Sequence, residues 1–384
     1  MQWLERVGER VTRVRMSVDR VAASPDGSLL AFFAHALGGP EELERRPVHV
    51  IELSTGREVV RMDDPGVPRD LAWVDDDALL IARDDRAEGA RLCLHAIPDG
   101  GVAAVRRLGR GNRSVSLELS ADRRRALVDP MYLRDSRPQP NAVVLALPTL
   151  TPLLEISPES FGHTEITDAH LSDDGAWALV VRDWMRLSVL SVDRPAEEPV
   201  TFLACDSGQI MPTWVSPSRA VYCAADAPYE GSELSLIDLS TWAVTSLPWS
   251  QPYELPNPGV SAHPDRHRIA GFLESTTEPS QRALRLTVLD VNDWTAVAEH
   301  ENARIEAFCW TRDGGALLTA ERVARVIRVE RWSPDDGRRA VIAEVALDAS
   351  FYEPSLATAG DGAALLQWSR DAIVSEAALI DLAP

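Results

Sequence analysis

The sequence predicts an all-β chain, a single β-propeller of about eight four-stranded blades, with seven as the alternative count. Three observations predict it: a turn motif that returns about every 48 residues, apolar strand-like runs on either side of each turn, and the absence of long helical periodicity.

The turns come first because they set the period. They read Ser24-Pro25-Asp26-Gly27, Asp75-Asp76-Asp77, Ala121-Asp122, Asp173-Asp174-Gly175, Ser216-Pro217-Ser218, Pro264-Asp265, Arg312-Asp313-Gly314 and Gly360-Asp361-Gly362. Successive turn positions are 43 to 52 residues apart, and seven such steps define eight repeats. Asp, Gly and Pro mark tight turns for physical reasons: a local side-chain acceptor, freedom at positive φ, and a fixed φ.

Each turn is followed by residues that favour a pleated, half-buried surface, as in Leu29-Leu30-Ala31-Phe32-Phe33 and Ala316-Leu317-Leu318-Thr319. A second pair of runs comes later in each repeat, as in Val48–Leu53, then Ser54-Thr55-Gly56, then Arg57–Val60. Four strands in a period of this length make a propeller blade. The blades fall at about 18–62, 68–108, 113–156, 164–203, 208–248, 257–300, 303–345 and 352–383, within one domain spanning 1–384. Helix candidates are short, near 2–8 and 40–46.

The two ends complement one another. The eighth repeat supplies only three strands, whereas Thr12-Arg13-Val14-Arg15-Met16 alternates apolar and charged residues ahead of the first repeat. An unpaired sheet edge is a liability. The spacing therefore predicts that 12–16 pairs with the C-terminal blade and closes the propeller.

Composition narrows the function classes. Net charge is −20, with 59 acidic residues against 39 basic ones, the reverse of what phosphate binding requires. All of the basic residues are arginine, which excludes a lysine nucleophile, a Schiff base or a phosphate-loop lysine. Cys93, Cys205, Cys223 and Cys309 are too far apart for a metal-binding Cys-x-x-Cys pair and read as buried small hydrophobes. The first residues turn charged at once, and no apolar run reaches membrane-spanning length. The reading is a cytoplasmic protein with no membrane or nucleic-acid partner.

Two segments resemble known propeller repeats. Ser24–Phe32 is similar to the repeat of TolB-type propellers. Gly162-His163-Thr164, with Ser172-Asp173-Asp174-Gly175 following and Asp183 beyond, resembles a WD40 repeat. That resemblance implies that His163 and Asp183 join a structural hydrogen-bond network inside the blade. The family's Trp-Asp pair is replaced by Ser191-Val192-Asp193, so the network would be incomplete.

Motifs that carry chemistry are absent: no nucleophile elbow, no zinc helix and no phosphate loop. His263 and His267 are four apart, but Pro264 breaks the helix such spacing needs. His35, His49, His95, His170 and His300 are isolated in sequence. The acidic pairs lack the alternating ligand spacing of a calcium loop. The expectation is no catalytic residues, no metal and no cofactor.

Function is then sought in loops. Four of the five tyrosines fall in or beside long connections, and they define a candidate partner-binding face: Tyr132, Phe161, Tyr229, Glu230, Trp249, Tyr253, Glu254, Phe351, Tyr352 and Glu353. The leading expectation is a non-catalytic protein-interaction platform, a subunit of a bacterial multi-protein system that is monomeric on its own. The alternative is a lactonase- or lyase-type propeller enzyme with a site in the central channel.

Overall fold

Each repeat folds as an antiparallel meander whose first-to-second and third-to-fourth strand turns lie at one end and whose other connections lie at the opposite end. The computed structural model describes the chain apart from residues 1–3, 8, 15–17, 35–45, 86–88, 110–114, 130–141, 163, 165, 184, 204–209, 225–231, 252–259, 276–284, 301–303, 348–351, 360–361, 372–373 and 383–384. The chain forms two compact units with four blades in each, making eight in all, and the fold is a β-propeller.

The first unit holds blades 1 to 4. Blade 1 comprises Val18–Ala23, Leu29–Ala34, Val48–Glu52 and Glu58–Met62. Blade 2 comprises Val67–Asp75, Ala78–Asp85, Gly89–Ala96 and Val102–Gly109. Blade 3 comprises Ser116–Leu119, Arg125–Asp129, Ala142–Ala146 and Thr151–Ile156. Blade 4 comprises Ile166–Leu171, Trp177–Arg182, Arg186–Ser191 and Val200–Leu203.

The second unit holds blades 5 to 8. Blade 5 comprises Ile210–Ser216, Arg219–Ala224, Ser232–Asp238 and Ala243–Gln251, extended by Glu274–Ser275. Blade 6 comprises Ser261–Ala262, Arg268–Phe272, Leu286–Asp290 and Ala296–His300. Blade 7 comprises Ile305–Trp310, Leu317–Val323, Val326–Trp332 and Arg339–Ala346. Blade 8 comprises Tyr352–Ala359, Ala363–Asp371 and Val374–Asp381, with Val11–Val14 as its fourth strand.

Middle strands read as continuous apolar runs because both of their faces are covered. In blade 3, Ala126 and Val128 pack towards blade 2 with Leu80 and Leu92, while Leu127 packs towards blade 4 with Ala169 and Val180. The period of two sends alternate residues into alternate seams. Blade 6 repeats this, with Ile269 and Leu289 facing blade 5 and Ala270 and Val288 facing blade 7. Burying one such Leu or Ile contributes about 1.5–3 kcal/mol.

The N-terminal strand completes blade 8. Val11, Thr12 and Arg13 pair with Ile380, Leu379 and Ala378, and Val11 is buried in the core between blades 7 and 8. The Arg13 guanidinium lies 5.5 Å from the Trp368 ring. Residues 2–8, a helix candidate by sequence, contain instead the strand Leu4–Arg6, which pairs with Thr12–Val14. The hairpin gives these few residues cross-strand hydrogen bonds and buries Leu4, which an isolated helical turn could not do. Among the described residues, the only helical element is the 3-10 turn Pro158–Phe161.

Among the described residues, the outer strands carry most of the exposed large hydrophobics, including Val102, Val105, Val244, Val297 and Val341. In blades 1, 2, 3, 5, 6 and 7 the ladder joining the outer strand to its neighbour is interrupted by a register shift. Blade 4 has no such shift, but its outer strand is only 4 residues long. Bulges and shortness are the usual means of keeping sheet edges from pairing with other chains.

Candidate functional site

The short-turn end is built from one repeated device. In blade 1, Ser24 Oγ donates to Asp26 Oδ1 at 2.6 Å, Ser28 N–H donates to the same oxygen at 2.9 Å, and Leu29 N–H donates to Ser24 Oγ at 2.9 Å. Ser120 with Asp122, Ser172 with Asp174, and Thr311 with Asp313 repeat this arrangement. In blade 6, His263 stands in place of the hydroxyl residue, and His267 N–H donates to Asp265 Oδ1 at 2.9 Å. Each box satisfies backbone donors that the sharp turn leaves without ladder partners.

The same end ties neighbouring blades together, among the described residues, from blade 1 to blade 4 and from blade 5 to blade 7. Arg125 of blade 3 reaches blade 4, donating to Gly175 O at 2.7 Å and Asp193 Oδ1 at 2.6 Å. Arg268 of blade 6 holds Asp335 of blade 7 at 2.6 Å from the equivalent position. The indole N–H groups of Trp73 and Trp310 donate to Ala22 O and Ser261 O, in each case on the first strand of the preceding blade. Arg123 and Arg266, both at left-handed φ, donate back to Trp73 O and Trp214 O. Trp73, Trp214 and Trp310 each stand three positions before their turn residue, and for Trp73 and Trp310 the indole bonds give that register its reason.

A second concentration of polar groups lies on the first strands of the first unit. Asp70 accepts Leu117 N–H at 2.9 Å and stands 3.6 Å from Arg20. Glu118 accepts Leu171 N–H at 3.2 Å and lies 3.6 Å from His170 Nδ1. His170 Nε2 is 3.1 Å from Asp168 Oδ2. Asp129, buried at the end of the second strand of blade 3, accepts Ala169 N–H at 3.1 Å. Burial works against a charged imidazole here, yet hydrogen bonds to Asp168 and Glu118 and their charges outweigh it and raise His170 to about 10. Burial, and then the charge of Asp168, raise Asp129 to about 7.

This arrangement limits what the cluster can do. An imidazolium donating from both nitrogens has no lone pair with which to accept a proton. Sequence reasoning missed the grouping because Glu118, Asp129 and His170 belong to strands of different blades, and only blade-to-blade stacking joins them. Three further histidines have partners: His49 with Glu58 at 2.6 Å, His300 with Glu330 at 2.9 Å, and His95 with Gly100 O at 3.1 Å. Among the described residues no group of His, Cys, Asp or Glu could hold a metal ion. Cys93, Cys223 and Cys309 are free thiols, and burial pushes Cys223 and Cys309 up to about 12.

Of the face read from the sequence, Tyr132, Tyr229, Glu230, Tyr253, Glu254 and Phe351 lie outside the described residues, as does His163. Tyr352 and Glu353 are placed by their backbone at the start of the first strand of blade 8. Phe161 is half-buried, with the Arg182 guanidinium 4.5 Å from its ring. Trp249 departs from the sequence reading. The fourth strand of blade 5 runs on to Gln251, so Trp249 is a strand residue, 8% exposed, whose indole N–H donates to Trp294 O at 2.8 Å. It packs blade 5 against blade 6 instead of lining a rim. Asp183 occupies a left-handed position, φ 48°, in the turn after the second strand of blade 4.

No helix among the described residues is long and apolar enough to cross a membrane. No family model matches the chain, and no curated protein matches it in sequence. Solved structures do. The C-terminal WD40 domain of Sif2 aligns with TM-score 0.61 at 11% identity, covering 99% of each chain. The β-propeller domain of Myceliophteria thermophila Cps50 (Swd1) gives 0.52 at 12%, covering 98% of this chain and 99% of that one. BamB from Moraxella catarrhalis gives 0.53 at 13%, covering 96% and 97%. Likenesses at such identities speak for architecture and not for activity. The chain has the β-propeller fold that WD40 domains and BamB share.

Proposed function

We propose that the chain is a non-catalytic platform that holds other proteins, one subunit of a bacterial multi-protein system. The observation that carries the reading is the placement of its tyrosines. Tyr222, on the second strand of blade 5, is buried in the core, while Tyr132, Tyr229 and Tyr253 fall in the connections 130–141, 225–231 and 252–259 and Tyr352 follows the connection 348–351. Every one of these connections belongs to the end opposite the tied turns. Tyrosine at such sites gives large contact area at low entropic cost. The bonding of His170 also favours binding over chemistry, since both of its nitrogens are taken up by carboxylates. The partner face includes Phe161 at its described margin, and Glu230, Glu254 and Glu353 make its rim acidic, so the partner surface carries Arg or Lys. The protein works in the cytoplasm and is monomeric until it meets its partner.

The test pairs two variants in affinity capture from the native host, followed by calorimetry with the captured partner. Tyr229→Ala with Tyr253→Ala removes contacts at the long-connection end and should cost about 2 kcal/mol or more each. Asp99→Arg with Glu198→Arg reverses charge on exposed third-to-fourth strand turns at the other end. Loss of binding only in the second variant places the partner on the wrong end and rejects the proposal.

A further inference from the structure

We propose that the groove between the outer strands of blades 7 and 8 binds an acidic, extended segment of a partner protein. The groove lies within the second unit and encloses about 670 Å³. One wall is the outer strand of blade 7 from Ala340 to Glu344, with Arg331 beside it. The other wall is Glu9, Arg10 and Val11 of the N-terminal hairpin, with Leu382. The site uses none of the tyrosine-bearing connections, so it stands or falls separately from the partner face proposed above.

The local sequence opens this space. Ala340 stands opposite Arg331 in the ladder and Ala343 stands opposite Val329, while Val341 faces Glu330, so Ile342 is an extra residue. A bulge of this kind bends its strand and re-aims the side chains around it. Val341 is left 52% exposed, and Ile342 packs only partly against the core between blades 7 and 8. The methyl groups of Ala340 and Ala343 are too short to fill the gap beside Val11. The floor is therefore apolar and long. Five residues of strand span about 16 Å, a length that suits an extended chain better than a compact metabolite.

Charge decides the kind of chain. Arg10 and Arg331 line opposite walls, and Arg339 adjoins them at the same end of the strand. Among the described residues neither Arg331 nor Arg339 has a salt-bridge partner, although Arg331 lies in the field of Asp313. The carboxylates on the walls do not cancel these cations. Glu344 already holds Arg328 at 3.1 Å, and Glu9 is a single exposed acid on the hairpin. The groove thus keeps a positive surplus in a chain whose net charge is −20. Guanidinium groups take carboxylates through paired N–H donors. An extended segment sends alternate side chains to opposite sides. Apolar residues two apart can then lie on Val341, Ile342 and Leu382 while a flanking Asp or Glu meets Arg331. Because the bulge interrupts the edge, side chains rather than a continued ladder hold the segment.

The experiment passes a pool of octapeptides, randomised among Asp, Glu, Leu, Val and Phe, over the immobilised full-length chain. A control pool carries Lys in place of Asp and Glu. Retained peptides are sequenced by mass spectrometry, and the most enriched one is labelled and titrated by fluorescence polarisation. The expected result is retention from the acidic pool alone, with acids flanking apolar residues spaced two apart. Binding should weaken at high salt, and the methyl NMR signals of Val341, Ile342 and Leu382 should shift. Arg331→Glu and Ala340→Trp, at a half-buried and an exposed position, should each weaken binding at least tenfold. Circular dichroism confirms that both variants fold, and if one does not, the other variant and the methyl shifts decide. Equal retention of both pools, no retention of either, or unchanged affinity in a folded variant overturns the proposal. Two other outcomes also overturn it: the same methyls shifting with decanoate but with no acidic peptide, which makes the groove an amphiphile site, and dimerisation of the chain that these substitutions abolish, which makes it a self-association surface.

Discussion

Arg125 of blade 3 and Asp193 of blade 4 meet at 2.6 Å across 68 residues of sequence, while the same guanidinium also donates to Gly175 O. One side chain thus joins two blades through a charged partner and a backbone partner, and the two should respond differently to salt. A double-mutant cycle of Arg125→Ala and Asp193→Ala should give a coupling of about 0.5–1 kcal/mol that shrinks at high salt. Arg125→Ala alone should cost about 1–2 kcal/mol, since Gly175 O also loses its donor. Denaturant titration at two salt concentrations checks both numbers, and a salt-independent coupling would show that the pair is not acting through charge.

Gly175 is the backbone half of that joint. Its φ is +69°, and a Cβ placed there would lie 2.5 Å from Arg125 Cδ. Gly175→Ala therefore meets backbone strain and a clash at once and should destabilise by about 2 kcal/mol. Chemical denaturation supplies the measurement, and the double variant with Arg125→Ala should recover part of the loss.

Acid should attack the turn boxes first. The Ser24 hydroxyl and then Ser28 N–H hold Asp26 below the usual carboxylate range, and Thr311 and then Gly315 N–H do the same for Asp313. Groups with depressed folded values contribute stability that is present above about pH 4 and is lost as pH falls through the folded value. Thr311→Val should cost about 1 kcal/mol at neutral pH and weaken the pH dependence below pH 4. Acid unfolding followed by circular dichroism tests this. An unchanged acid limb would remove Asp313 from the set of groups that matter.

Deleting residues 1–14 takes away the outer strand of blade 8 together with buried Leu4, Val11 and Val14. At about 1.5–3 kcal/mol for each side chain, and a few degrees per kcal/mol for a chain of this size, the melting temperature should fall by on the order of 10 °C. Differential scanning calorimetry gives the value, and a shift under about 2 °C would mean that the strand adds little to blade 8.

The architecture was legible because the signals that build a blade are local. The box of Ser172 and Asp174, the glycine at 175 and the apolar run from Ala176 onward lie within a few residues of one another, and they recur. Leu4–Arg6 was misread because three residues cannot display a period, and only pairing with Thr12–Val14 reveals the strand. The sequence places Trp249 at the start of a long connection, whereas the ladder persists to Gln251. The Asp129 cluster was invisible for a different reason. Asp129 and Ala169 are 40 positions apart, and nothing near either one announces the other.

The ties at the turn end share a feature that bears on ancestry. Asp26 N–H reaches Asp76 over 50 positions, Arg125 reaches Gly175 over 50, Ala121 N–H reaches Asp173 O, and Trp310 reaches Ser261 over 49. Each spans about one repeat, so within each unit these described margins carry half of a joint whose other half sits on the next margin. A segment of that kind can be copied in tandem and arrive with matching fittings on both sides. The chain is thus written in the form that duplication extends most readily, and substitutions that erode one joint leave the others to hold the copy while it diverges.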